Sequence, residues 1–195
     1  MDLYNVLWSE TPYLVIDTET TGFGQYDRIC EITAAVYFKG QRSLSFSSLV
    51  DPGVAVSPGS TEVHGIVDSD VAGMPRLRDV ADEIVDLMKT DVPWVAHNMS
   101  FDLRMLARDI PVERWPRGVP TLCTMSYSRK HPPTRGMARH RVQDLARHFG
   151  LSVGALHRSD ADVALLAAVV PFLVGDTPVC SAMTKYSEEW VKEKG

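Results

Sequence analysis

The run Tyr13-Leu14-Val15-Ile16-Asp17-Thr18-Glu19-Thr20-Thr21-Gly22 constrains this chain more than any other. Its first four residues are aromatic, aliphatic or β-branched and read as a buried strand, and that strand runs into two carboxylates one residue apart. Side chains alternate across a strand, so Asp17 and Glu19 face the same way. Burying two like charges beside an apolar strand is costly unless a cation neutralises them, and hard oxygen donors suit magnesium or manganese. Alone, the run also reads as a polar strand end entering a Thr-Gly turn. The choice rests on whether acids later in the chain converge on the same point.

Alternation and β-branching predict a second strand over Arg28 to Phe38 and a third over Arg42 to Val50, joined by Lys39-Gly40-Gln41 in an antiparallel meander. Asp51 to Gly59 reads as a loop, and Ser60 to His64 as one helical turn ended by Gly65. From Arg76, with Pro75 at the start, Leu77, Val80, Ala81, Ile84, Leu87 and Met88 follow helical spacing. Val92 to Ala96 is a short strand, and Ser100 is placed as the N-cap of a helix carrying Leu103, Leu106 and Ala107. A strand over Val119 to Cys123, a short helix over Thr124 to Lys130 and a helix over Arg141 to Phe149 stopped by Gly150 come next. A long helix capped by Ser159 or Asp160 follows, with Val163, Leu166, Val169, Val170 and Leu173 as its stripe. A meander followed by alternating strands and helices predicts an α/β fold with a mixed sheet, partly antiparallel and partly parallel, flanked by helices.

With 195 residues, 45% of them hydrophobic, the chain suits one domain over residues 1 to 174. Residues 175 to 195 form a tail or terminal helix with Met183, Tyr186, Trp190 and Val191 at helical spacing. No apolar run approaches the roughly 20 residues that span a bilayer, and Met1-Asp2-Leu3-Tyr4 lacks a basic leader region, so a cytoplasmic protein without a membrane partner is expected. Cys30, Cys123 and Cys180 are odd in number and far apart, which suggests neither a disulfide framework nor a zinc site. The net charge of -5 argues against coating nucleic acid through the overall field. Residues 129 to 148 differ, with Arg129, Lys130, Arg135, Arg139, Arg141 and Arg147 against the single acid Asp144, a local +5. That stretch reads either as a phosphate-holding patch or as a solvated loop and helix face.

Four acids now stand at element ends: Asp17 and Glu19 after a strand, and Asp102 and Asp162 in the first turns of two helices, with His157 five residues before Asp162. Here the chain resembles the DEDDh, DnaQ-like family of 3'-to-5' exonucleases. Asp17-Thr18-Glu19-Thr20-Thr21-Gly22 matches the first motif, Ala96-His97-Asn98-Met99-Ser100-Phe101-Asp102 the second, and His157 with Asp162 the third. Val63-His64-Gly65-Ile66 is similar to the family's short His-Gly segment, and Cys123-Thr124 departs from an Asp-Thr common among relatives. Asp160 competes with Asp162, which fits the spacing from His157 better. His97, at a strand end, reads as a structural histidine.

The resemblance implies a ribonuclease H-like fold and a site holding two divalent ions, Mg2+ or Mn2+. Asp17 would bridge both ions, Glu19 and Asp162 would complete one, Asp102 would hold the other, and His157 would act as general base. Thr20, Gly22 and Phe23 would meet the terminal nucleotide, with His64 and Phe101 nearby; without the family, Phe23 and Phe101 read equally as core aromatics. The implied reaction is hydrolysis at DNA 3' ends, releasing nucleoside 5'-monophosphates in a proofreading or trimming role. Its expected partners are single-stranded nucleic acid or 3' ends, DNA over RNA, and a DNA polymerase. An exoribonuclease would need the same fold and metal site, whereas an inactive polymerase-binding module has no physical need for four converging acids and a histidine.

Overall fold

The computed structural model describes residues 6–154 and 157–182. Three strands open it: β1 (Tyr13–Thr20), β2 (Ile29–Phe38) and β3 (Gln41–Leu49). They form the antiparallel meander expected from the alternation. Phe38 pairs with Gln41, so the hairpin loop is Lys39-Gly40, both with positive φ (48° and 77°), the conformation that matches the twist of the flanking strands. β4 (Trp94–Ala96) and β5 (Thr121–Cys123) add in parallel, giving the order β3-β2-β1-β4-β5. Both parallel strands are shorter than their apolar runs suggest, because Val92 and Val119 lie outside the ladder.

Helices cover both faces. Leu14, Ile16, Ile32, Ala34 and Val36 turn to one side, against α3 (Ala81–Met88) and α4 (Met99–Leu106). Tyr13, Val15, Ala35 and Tyr37 turn to the other, against α6 (Val142–His148) and α7 (Ser159–Val174), with α5 (Thr124–Lys130) beside them. The period of two in β1 thus assigns each residue to a layer.

Several starts and stops differ from expectation. The turn expected at Ser60 is a longer helix, α1 (Pro58–His64), because the Ser57 hydroxyl accepts from the Ser60 N–H and Pro58 suits the first helical position. A short α2 (Asp68–Val71) follows, closed by the Asp70 carboxylate accepting from the Val67 N–H. The helix expected from Arg76 opens as a 3-10 turn, Leu77–Val80, before α3 begins. Ser100 is not a cap: α4 begins at Met99 after Asn98 in the left-handed region (φ 79°, ψ 46°), and Ser100 lies inside it. Ser159 and Asp160 are not caps either, since Arg158 precedes the helix and no side chain caps it.

α7 continues past Pro171, which has no N–H to give the Ala167 carbonyl. The buried Tyr13 hydroxyl takes that place, donating to Ala167 O at 3.0 Å and pinning the helix to β1. Beyond α7, α8 (Val179–Ala182) places Val179 and Ala182 in the second core, and Leu7 bridges Pro178. Met183, Tyr186, Trp190 and Val191 lie outside the described residues. Among the described residues no helix is long and apolar enough to cross a membrane.

Candidate active site

β1 presents Asp17 and Glu19 on the α7 side of the sheet, opposite Thr33 and Glu31 of β2. The first turn of α7 docks there through polar contacts. The Ser159 N–H donates to Glu31 Oε2 at 2.8 Å, Arg158 Nε donates to Glu31 Oε1 at 2.9 Å, and the Ser159 and Thr33 hydroxyls meet at 2.8 Å. This docking turns Asp162 towards β1, so that Asp17, Glu19 and Asp162 each offer a carboxylate oxygen within 4.8 Å of the others. Asp160 points elsewhere and pairs with Arg42 of β3 at 2.6 Å.

Asp102 arrives from the opposite layer. The strained backbone at Asn98 lets α4 begin immediately after β4, with the Phe101 N–H donating to Asn98 O at 2.7 Å. Thr18, between the two acids of β1 but facing the other way, donates its hydroxyl to Asp102 Oδ1 at 2.8 Å. Asp102 is 3% exposed and stands outside the close group of three, yet its charge acts on Asp17.

All four acids hold their protons more tightly than usual. Burial, followed by the charges of Asp102, Glu19, Asp162 and Glu31, pushes Asp17 well above the carboxylate range. Burial and the neighbouring acids push Glu19 up to about 8, and burial pushes Asp102 up to about 7 against the Thr18 hydrogen bond. Asp162 is raised by burial, against the His157 N–H that donates to its Oδ2 at 2.8 Å. Arg158, beside Glu31, offsets only part of this negative charge. The site's donors are all carboxylate oxygens, which fits magnesium or manganese better than metals that prefer nitrogen or sulfur.

The remaining expected residues surround this centre. His157 has an exposed side chain and a φ of 67°, a left-handed conformation stabilised by its N–H bond to Asp162. Thr20 is buried, and its hydroxyl donates to Gly22 O at 2.8 Å. Gly22 leaves no room for a side chain, since a Cβ there would lie 2.5 Å from the Asp27 carboxylate. The Phe23 and Phe101 rings meet at a tilt, with centroids 5.7 Å apart, and Phe23 is 80% exposed. His64 is buried and both ring nitrogens serve the main chain: Nδ1 accepts from the Ile66 N–H at 3.1 Å, so Nε2 carries the proton donated to Thr20 O at 3.2 Å. It steadies the end of β1 by this bond. His97, pushed down to about 4 by burial, meets the Thr124 hydroxyl at 2.9 Å and ties β4 to α5.

Sequence reasoning missed Glu31, which is 5% exposed and organises the docking of α7. Its signal was present: Glu31 and Thr33 are polar residues two apart in an otherwise apolar strand, repeating on β2 the spacing of Asp17 and Glu19 on β1.

Comparison with known proteins agrees with this geometry. The RNase_T family model, described as exonuclease, matches residues 14–170. The DNA polymerase III subunit epsilon of Treponema pallidum (strain Nichols) is 31% identical over 152 residues, covering 77% of this chain and 70% of that protein. The PolC-type DNA polymerase III of Streptococcus pneumoniae serotype 2 is 30% identical over 156 residues, 79% of this chain but 10% of that protein. Exonuclease X, solved in complex with 5' overhanging duplex DNA, superposes with a TM-score of 0.63 at 25% identity, over 87% of this chain and 99% of that one. E. coli Exonuclease I, solved with a dT13 oligonucleotide, superposes at 0.68 with 17% identity over 86% and 42%. The shared fold is the ribonuclease H-like one expected from the motifs.

Two outcomes follow from the charge balance. Carboxylates whose pKa is higher folded than unfolded stabilise the fold when protonated, and that contribution is lost as pH rises from their ordinary range near 4 towards 7 and 8. In chelator, thermal stability attributable to the site should therefore fall between pH 4 and 8. Asp17→Asn should flatten that fall and melt higher than wild type at pH 8, whereas added Mn2+ should raise only the wild type. A melt series in which the variant tracks wild type at every pH would contradict the charge assignment. Separately, Glu31→Gln should weaken Mn2+ binding by about 10-fold or more by loosening the start of α7, measured by calorimetric titration; unchanged affinity would leave Glu31 a purely structural residue.

Proposed function

The chain belongs to the RNase_T family of exonucleases, and from that membership we propose that it is a metal-dependent 3'-to-5' exonuclease acting on DNA 3' ends. The observation that carries the reading is the convergence of the Asp17, Glu19 and Asp162 oxygens within 4.8 Å, in a site whose acids are all held above their ordinary pKa. A phosphodiester is anionic, and such a site repels it until cations intervene. Asp17, Glu19, Asp162 and Asp102 would hold two Mg2+ or Mn2+ ions. When bound, such ions would ease both the formation of the nucleophile and the departure of the leaving oxygen.

The side chains divide the remaining work. His157, at the rim and tied by its main chain to Asp162, takes a proton from the attacking water. The water oxygen bonds to phosphorus, the bond to the 3' oxygen breaks, and a nucleoside 5'-monophosphate leaves. Thr20, steadied by His64, and Gly22 shape the floor for the terminal nucleotide, and Phe23 and Phe101 give its base an aromatic face that accepts any sequence.

The basic stretch guides the strand. Arg141 and Arg147 share Asp144, and Arg129, Arg139 and Arg141 line an open cleft of about 410 Å3 beside α5. Single strands and frayed ends are preferred, because drawing the last nucleotide into a cleft costs less when it is unpaired. DNA as substrate, and work beside a DNA polymerase, are supported by the polymerase III relatives. A cytoplasmic site of action is supported by the same polymerase III relatives.

The test uses 5'-labelled strands of DNA and RNA with Mg2+. The expected result is a ladder shortening from the 3' end, faster on DNA and on mismatched than on paired ends, with none in chelator. Immediate release of labelled mononucleotide would reverse the polarity, and hydrolysis unaffected by chelator would end the metal assignment. Asp162→Ala should lose about 10²- to 10³-fold or more in turnover. His157→Ala should lose roughly 10²- to 10⁴-fold and flatten the acid limb of the pH-rate profile; an unchanged acid limb would require another base.

A further inference from the structure

Next to Phe23 opens a cleft of about 720 Å3, within the size range of nucleotide sites, whose walls include Phe23, Tyr26, Arg28, Arg104 and Arg108. Its charge is out of balance. Three guanidiniums meet there, and the two nearest acids compensate them poorly. The Asp27 carboxylate is occupied by the Thr21 hydroxyl at 2.8 Å and the Gly24 N–H at 2.6 Å, and Asp109 stands 3.9 Å from Arg28 Nε. Arg108 holds the loop, donating to the carbonyls of Gly24 and Asp27; burial and then the charges of Arg28 and Arg104 push its pKa down. Arg104 lies over the Phe101 ring at 5.5 Å and keeps a buried Nε without a hydrogen-bond partner. Buried donors rarely go unpaired, and each costs stability when they do.

Two aromatic rings border these charges. Phe23 is 80% exposed and Tyr26 76% exposed, in a segment otherwise tied down by Asp27 and Arg108. Guanidiniums beside open aromatic faces match the two halves of a nucleotide: an anion for the fork of an arginine and a π-face for a ring. A carboxylate ligand would satisfy the charges and leave both rings uncovered. Phe23 also touches Phe101, the neighbour of Asp102, so the cleft continues from the carboxylate centre.

We propose that this cleft is a second nucleotide subsite, in which Arg28 and Arg104 hold a phosphate of the nucleic-acid chain whose 3' end occupies the carboxylate centre, while Tyr26 receives the base. The inference rests on the exonuclease reading above and extends it from the terminal nucleotide to a further one. It lies on the α4 side of the sheet, whereas residues 129 to 148 belong to the α5 and α6 side. The two basic surfaces are therefore separate, and each can be removed without the other.

The test compares the full-length protein with Tyr26→Ala and with the double variant Arg28→Gln, Arg104→Gln on two substrates. One is a single-stranded oligonucleotide of about ten nucleotides; the other is the p-nitrophenyl ester of thymidine 5'-monophosphate, which fills only the carboxylate centre. On the oligonucleotide both variants should raise KM by about tenfold with kcat unchanged. The double variant should also flatten the slope of log binding against log salt by about 0.7, the value for one lost phosphate contact, measured with Ca2+ replacing the catalytic metal. On the ester both variants should match wild type. Unchanged KM and salt slope on the oligonucleotide would overturn the subsite, and so would an equal loss on both substrates, which would mark damage to the catalytic centre. Loss of inhibition by free thymidine monophosphate with oligonucleotide KM intact would assign the cleft to released product and overturn the strand assignment. A wild type inactive on both substrates with Mg2+ and Mn2+ would instead sink the exonuclease reading itself.

Discussion

Mutual repulsion among carboxylates at the end of β1 is the condition the rest of this structure has to meet. Burial makes Asp17 and Glu19 costly to ionise, and Asp102, Asp162 and Glu31 add their charges to that cost at both. Left to themselves these groups would drive the first turns of α4 and α7 away from the sheet. Neutral and charge-assisted hydrogen bonds hold them in place. Thr18 holds Asp102 from one face, and Glu31 uses its own charge to hold Arg158 and the start of α7 on the other. Glu31 is thus both a member of the acidic group and the anchor that lets Asp162 join it.

The same arrangement explains why the fold tolerates a centre of this kind. The two faces of β1 carry separate cores, so each helix layer is secured by apolar packing some distance from the charges. Tyr13 fixes α7 five residues beyond Asp162 by donating to the Ala167 carbonyl that Pro171 leaves without a helical partner. His64 fixes the far end of β1 through Thr20. Strand and helix are therefore clamped on either side of the carboxylates, and the repulsion is spent on raising pKa values and not on moving the backbone. A divalent cation would then meet donors already in position, and binding it would exchange protons for metal.

Charge is distributed over the surface in the same economical way. A chain of net charge -5 concentrates basic residues in two places, the α5 to α6 stretch and the Arg28, Arg104 and Arg108 cleft, on opposite sides of the sheet. Elsewhere acids dominate. A polyanion is thereby drawn to the neighbourhood of the site without being held across the whole surface.

Much of this was legible in the chain itself. Alternation in Tyr13 to Thr20 and Ile29 to Phe38, the 3.6-residue stripe of α7, and acids standing where periodic runs begin or end are local signals, and they sufficed for the sheet and most of its flanking helices. Tertiary structure decided what depends on distant partners. Asp160 and Asp162 are two residues apart on one helix, and only the docking of Ser159 on Glu31 and the capture of Asp160 by Arg42 separate their directions. Ser100 has the composition of a cap, but the left-handed turn at Asn98 starts the helix earlier. The arginine cleft joins positions 28, 104 and 108, and Glu31 reaches residues 158 and 159 across more than 120 positions of chain. Periodicity reports which face of an element is apolar; it carries no record of which other element that face will meet, because that is set by packing the whole sheet at once.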